Sequence, residues 1–263
     1  MLKQIIYLFI VVFLASCEKE IQLPLATNAS LLVIDASITD QPGPYFVQLS
    51  KSKEIGNTQS YPSVENANVI IFDNQGQRDT LSYTKNGIYQ TKKIKGVFGN
   101  TYNLEVMVDG KKYTASSTMS KKVPLDNLRI NTFLVNGEIR YSIIPVYTDP
   151  MELGNSYRFI QKINDTLDQT FHVFNDNLNN GKVNQRPLRG GSDSLEVKLK
   201  DNISVEMQCI SRPTYLYYYS LNQQSGAGPG GGITPANPTN NIQGGALGIF
   251  SAHTVEKKLI RVQ

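Results

Sequence analysis

The stretch TYNLEVMVDGKKYTASST, residues 101–118, decides the fold class. Tyr102, Leu104, Val106 and Val108 alternate with Asn103, Glu105 and Met107, a two-residue period that gives a strand one buried face. Asp109-Gly110 follows, a pair that accepts the positive φ angles of a tight hairpin, and Lys111 to Thr118 forms the return strand. The same punctuation recurs every eight to twelve residues or so from Ser30 onward, while helical periodicity is nearly absent. The expected fold is therefore all-β, with two β-sandwich-type regions and one short helix in the second.

Leu31 to Ile38 reads as a mostly apolar strand, Tyr45, Val47 and Leu49 as an inward face, and Asn68 to Phe72 as a buried strand ending in the turn Asp73-Asn74-Gln75-Gly76. Leu81 to Thr84 and Ile88 to Thr91 should pair across Lys85-Asn86-Gly87. Val123-Pro124 marks a boundary, because proline cannot donate to a ladder. These features predict a first, immunoglobulin-like or carboxypeptidase-regulatory-like sandwich over 30–122 and a second β-rich domain over 123–263. In the second, Leu128 to Leu134, Glu138 to Val146, Ser156 to Ile163 and Thr166 to Phe174 are expected to form a meander, with Asn136-Gly137 as a turn and Pro145 at an edge or bulge. Leu195 to Leu199 should pair with Ile203 to Ile210 through Asp201-Asn202, and Ala246 to Ser251 and Val255 to Val262 should be the last two strands. Asn175 to Ser192 is polar and reads as an exposed loop. A helix is expected over 213–224, with Pro213 in its first turn and Tyr215, Leu216, Tyr218, Tyr219 and Leu221 on one face, packing Tyr219 into the core. The other reading of so many tyrosines is a ligand platform.

Residues 1–17 read as a lipoprotein signal peptide. Lys3 opens it, Ile5 to Leu14 is uncharged and apolar, and Leu14-Ala15-Ser16-Cys17 is a small-residue box ending in a cysteine placed to take the lipid. The apolar run is shorter than the roughly 20 residues of a membrane span. Residues 18–29 then form a tether. Glu18, Lys19 and Glu20 after the lipid site resemble the Bacteroidota signal for the outer face of the outer membrane, the alternative being a linker that faces the periplasm. Losing Lys3 lowers the formal charge from +4 to +3, too little to call for nucleic acid as a partner. With Cys17 lipidated, Cys209 stands alone, so no disulfide forms; its strand places it inward as an inert thiol.

The order Cys17-Glu18-Lys19-Glu20-Ile21, Leu32-Val33-Ile34 and Gly99 to Val106, closing with Val205-Glu206-Met207, Tyr215 to Leu221, Asn241-Ile242 and Gly245 to Phe250, resembles a Bacteroidota outer-membrane lipoprotein family of unknown function. The resemblance spans nearly the whole mature chain. It implies a binding or assembly role beside a TonB-dependent receptor barrel and carries over no catalytic residue. The chain departs from that pattern in Tyr217-Tyr218-Tyr219 and in the Gly-rich Ser225 to Gly232, where the family is more acidic and aromatic.

No cofactor or metal motif emerges, and no catalytic set. His172 and His253 lie far apart, Ser50-Lys51-Ser52-Lys53 fits an acylating Ser-x-x-Lys without its companion motifs, and Gly226 to Gly232 lacks the ending of a phosphate loop. Three Asp-Ser/Thr-apolar triplets place Thr80, Thr166 and Ser194 where they resemble the O-glycan acceptors of Bacteroidota; Asp beside Thr-Leu is equally the ordinary chemistry of a turn entering a strand. Partner or ligand contacts are expected on the two long polar loops, at Asn177, Asn180, Gly228 and Gly231. Alternatives to a transporter accessory are a stand-alone surface binder of glycans or peptides and, more weakly, a hydrolase with its site in the Asn175 to Ser192 loop.

Overall fold

The computed structural model describes residues 30–53, 60–177, 180–189, 195–225 and 237–263. Cys17, the tether, Ser194, Gly228 and Gly231 lie outside the described residues. The fold is all-β and sandwich-like, with three sheets and one helix among the described residues.

In the first half, β1 (Leu32–Thr39), β2 (Phe46–Lys51), β5 (Ser82–Tyr83) and β6 (Ile88–Gln90) share one sheet, and β3 (Ala67–Asp73), β4 (Arg78–Thr80), β7 (Thr101–Val108) and β8 (Lys111–Thr118) share a second. Alternation sends Ile34, Val47 and Leu49 from the first and Ile71, Leu104 and Val106 from the second into one core. The Asp109-Gly110 turn has φ of 49° and 75°, and Asn86-Gly87 has 51° and 75°, so both hairpins form as their sequences require. The expected Leu81 to Thr84 strand is shorter. Arg78–Thr80 pairs with β3 and Ser82–Tyr83 with β6, so the chain crosses between sheets at Leu81. Three buried tyrosines bury their rings and use the hydroxyl to bind loop backbone. Tyr45 accepts from the Gly96 N–H at 3.0 Å, Tyr89 from Ala67 at 3.0 Å and Tyr102 from Val97 at 2.7 Å.

In the second half, β9 (Asn127–Val135) and β10 (Glu138–Val146) form a two-stranded sheet turning at Asn136-Gly137. The expected meander stops there. β11 (Ser156–Ile163) pairs with β14 (Asn202–Cys209) rather than with β10, and Thr166 to Phe174 is broken into β12 (Thr166–Leu167) and β13 (His172–Asn175). Leu195 to Leu199 is not a strand; Val197 makes a single bridge to Tyr141. Pro145 keeps regular register opposite Leu128, in a sheet where a missing donor is tolerated at the edge.

The two closing strands expected from the sequence are one. β16 (Leu247–Arg261) runs parallel to β1 through Leu247–His253, then antiparallel to β14 through Thr254–Arg261. It changes partner without breaking, and Val255 N–H, left at the change, donates to Asp40 Oδ1 at 2.8 Å. A nine-stranded sheet thus passes through both halves. Ile242 of β15 (Ile242–Gln243), Ala246, Phe250 and Ala252 join the first core, although sequence position placed them with the second; Val123, Tyr157, Phe159, Met207, Cys209 and Val262 belong to the second. Cys209 is buried as expected, and burial raises its thiol pKa.

Helix α1 (Arg212–Ser225) packs on β11, β13 and β16. Its rotation differs from the sequence reading. Tyr215 is 7% exposed and Tyr219 is 44% exposed, because the helix turns Thr214, Tyr215 and Tyr218 toward the sheet and leaves Tyr219 to solvent. Tyr215→Ala should therefore cost about 3 kcal/mol, the scale for a buried aromatic, and Tyr219→Ala less than about 1 kcal/mol. Urea denaturation of both variants checks this order, and a reversed order would contradict the observed rotation.

Candidate polar cleft on the shared sheet

Since Leu32, Ile34, Ala36 and Ile38 of β1 point into the first core, Val33, Asp35, Ser37 and Thr39 occupy its other face. The parallel register sets Ser37 beside Ser251 and Thr39 beside His253. Beyond β16, β14 and β11 bring Glu206, Gln208 and Arg158 to the same region, with Arg158 directly opposite Gln208. Together with Tyr218 of α1 these side chains line a cavity of about 360 Å³ where the two halves of the large sheet meet. Such junctions are common places for ligand sites.

The cleft is held by a short polar chain. The Arg158 guanidinium lies 3.9 Å from the centroid of the Tyr218 ring, and its Nη1 donates to Gln208 Oε1 at 3.4 Å. Gln208 Nε2 in turn donates to Glu206 Oε1 at 2.7 Å. Phe171 packs on Tyr218 with the rings tilted by 35° and centroids 5.6 Å apart. His253 is buried with Nδ1 2.9 Å from Ser251 Oγ, and burial, aided by Arg158, pushes its pKa down to about 4, so the ring is neutral at neutral pH. Asp35 differs from all of these. It remains solvent-exposed, no described residue donates a hydrogen bond to its carboxylate, and the crowding of the cleft walls raises its pKa while Arg158 opposes the rise. A second hollow of about 350 Å³ adjoins, lined by Val33, Leu247, Tyr61 and Tyr217 among others. Val33 and Asp35 are successive residues on one face of β1, so the two spaces are neighbours.

Tyr218 of the tyrosine-rich helix and His253 line this cleft, whereas the expected glycan acceptors and loop contacts among the described residues do not. Thr80 is exposed on β4 and Thr166 on β12, both at sheet edges where a modification would meet solvent. Asp79 of the first triplet is buried and accepts three backbone N–H bonds, so its place there has a structural cause. Asn177 is exposed; Asn180 is half-buried, its amide donating to Met151 O at 2.8 Å. Most described residues of the Asn175 to Ser192 loop are exposed as expected, but the loop is anchored at buried positions. Asn184 is fully buried, donating to Pro145 O at 2.8 Å and accepting from Arg186 N at 3.1 Å, and Leu188 enters the second core. Deleting this loop would open that core, so it is no dispensable contact surface, and its Asp176 is engaged by the Asn155 N–H at 3.0 Å. His172 does have a carboxylate at short spacing, which the sequence reading overlooked. Asp168, four residues earlier, places Oδ2 3.5 Å from His172 Nε2, both side chains buried. Among the described residues no group of three or more His, Cys, Asp or Glu is arranged to hold a metal ion.

The family profile described as Domain of unknown function (DUF4249) matches residues 18–259. The chain belongs to this family. No curated protein matches it. The first core, α1 and the whole cleft fall inside the DUF4249 region, as does the second core except for Val262. So does Asn241, whose side chain acts as a strand edge toward β16: Nδ2 donates to Phe250 O at 2.8 Å and Oδ1 accepts from Phe250 N at 3.0 Å. That gives a physical reason for the Asn-Ile and Leu-Gly-Ile-Phe segments to occur together.

Proposed function

We propose that this DUF4249 chain is a lipid-anchored outer-membrane binding or assembly protein, held through Cys17 and accessory to a TonB-dependent transporter. The observation that carries the protein-contact reading is the β9–β10 hairpin. Leu134 is 72% exposed and Ile139, its cross-strand partner, 61%, with Val135 at 40% beside them. β9 has no strand on its other edge among the described residues. Apolar pairs on an open-edged ribbon favour aggregation unless a partner covers them. The polar cleft favours a second reading, a surface binder of glycans or peptides, and the two roles are compatible in one chain.

The anchor is the first point to test. Cys17→Ala should free the protein from membranes or leave it unprocessed, because the acyl chains supply the attachment. Fractionation with immunoblotting reads the result; full membrane retention with normal processing would remove the lipid anchor from the account. In intact cells, protease should reach the wild-type protein if Glu18-Lys19-Glu20 directs it outward, and protection from protease would place it on the periplasmic face.

A further inference from the structure

We propose that the cleft beneath α1 holds an uncharged, hydroxyl-rich ligand, a saccharide of one or two rings, with Asp35 and Arg158 gripping its hydroxyls from β1 and β11. The inference rests on the binding reading above and names the ligand class of that site.

The charges on the cleft decide against a simple ion. Arg158 stands on one side and Asp35 and Glu206 on the others, and His253 is neutral, so a ligand of either sign meets repulsion from one wall. A hydroxyl both donates and accepts. It can give a hydrogen bond to the Asp35 carboxylate, which takes none from the described residues, and receive one from a guanidinium already oriented by Tyr218 and Gln208. Several hydroxyls at fixed spacing, as on a sugar ring, suit the alternating carboxylate, guanidinium, amide and Ser/Thr hydroxyl groups around the wall. The volume, about 360 Å³, lies at the small end of ligand pockets. One face of Tyr218 is taken by Arg158, so aromatic stacking is left to the adjoining hollow, where Tyr217 and the face of Tyr61 away from Lys53, whose Nζ lies 4.3 Å from the Tyr61 centroid, offer ring surface to the C–H face of a second sugar.

The test uses the full, detergent-solubilised lipoprotein on a panel of neutral glucan, mannan, galactan and N-acetylglucosamine oligosaccharides, with uronate oligosaccharides and dipeptides alongside. At least one neutral saccharide should bind. Asp35→Ala and Arg158→Lys should each weaken it by about tenfold to a hundredfold, the scale of a lost charge-assisted hydrogen bond, with unchanged thermal melting. Binding only to uronates or dipeptides, lost in the same variants, would overturn the saccharide assignment and keep the cleft as a ligand site. A neutral saccharide bound equally by wild type and both variants would move the site elsewhere. Binding of nothing on the panel would overturn both the ligand class and the glycan or peptide reading, while the transporter partnership is read independently by co-purification.

Discussion

Gly248→Ala should destabilise the protein by at least about 4 kcal/mol, at the upper end of single-substitution effects. Gly248 sits on β16 opposite Ile34 with φ of 110°, a conformation L side chains rarely adopt. A Cβ there would lie 1.9 Å from Ile34 O and 2.7 Å from Ile34 C, backbone atoms of a strand fixed on its other side by β2. Neither strand can retreat without separating β16 from β1, the pairing that continues the large sheet from one half to the other. Gly110→Ala is the control, since its φ is 75° but nothing lies within 4 Å of the added carbon; it should cost only about 1–2 kcal/mol of backbone strain. Urea denaturation measures both. A loss below about 1 kcal/mol for Gly248→Ala would show that the close approach to β1 is not maintained.

Asp79→Ala should cost about 3–5 kcal/mol. One carboxylate oxygen accepts from the N–H groups of Lys92, Lys93 and Ile94 at 2.7, 2.7 and 3.1 Å, and removing it leaves three donors of the 92–94 segment unpaired. Burial by itself would raise the Asp79 carboxyl, but the three N–H bonds, helped by Lys93, outweigh it and hold the pKa below its ordinary value. The sign follows from that direction. With a folded pKa depressed below the unfolded value near 4, the stabilisation is complete above about pH 4 and is lost as pH falls through the lowered folded value. Wild type should show this acid-side loss in melting temperature between about pH 4 and pH 2, and Asp79→Ala should show a shallower slope over the same window. Equal slopes would assign the acid sensitivity to other carboxylates.

The parts of this fold that were legible in sequence are those with local causes. Asp109-Gly110, Asn86-Gly87 and Asn136-Gly137 each need positive φ and short-range pairing only, and two-residue alternation gave the inward faces of β2, β7 and β14. What was not legible depends on distant partners. His253 and Thr254 interrupt the apolar pattern of the last segment and look like a strand break, yet both are buried where β16 exchanges β1 for β14. The Asn175 to Ser192 segment has loop composition, but Asn184 can be buried because its amide meets the carbonyls of Pro145 and Arg186. The helix was placed within a residue at each end, and its rotation was not, because Tyr215 and Tyr219 share one helical face and only the sheet decides which of them it covers.

The cleft was hidden for the same reason. Its residues run from Asp35 to His253 on four strands and a helix, and no spacing in the chain announces them. The available signal was weaker but physical: Asp35, Arg158 and Glu206 are charged residues inside otherwise well-patterned strands, all at positions facing away from the core. Leu134 and Ile139, by contrast, are brought together locally by the Asn136-Gly137 turn, on a ribbon whose β9 edge no strand covers among the described residues.

Partnership at the outer membrane is read by affinity purification of the tagged lipoprotein from cross-linked native membranes, followed by mass spectrometry. An outer-membrane barrel of the TonB-dependent class should be recovered, with cross-links mapping to the β9–β10 hairpin. Recovery of no barrel protein above an untagged control would contradict the partnership and leave the saccharide cleft as the working site of a stand-alone surface binder.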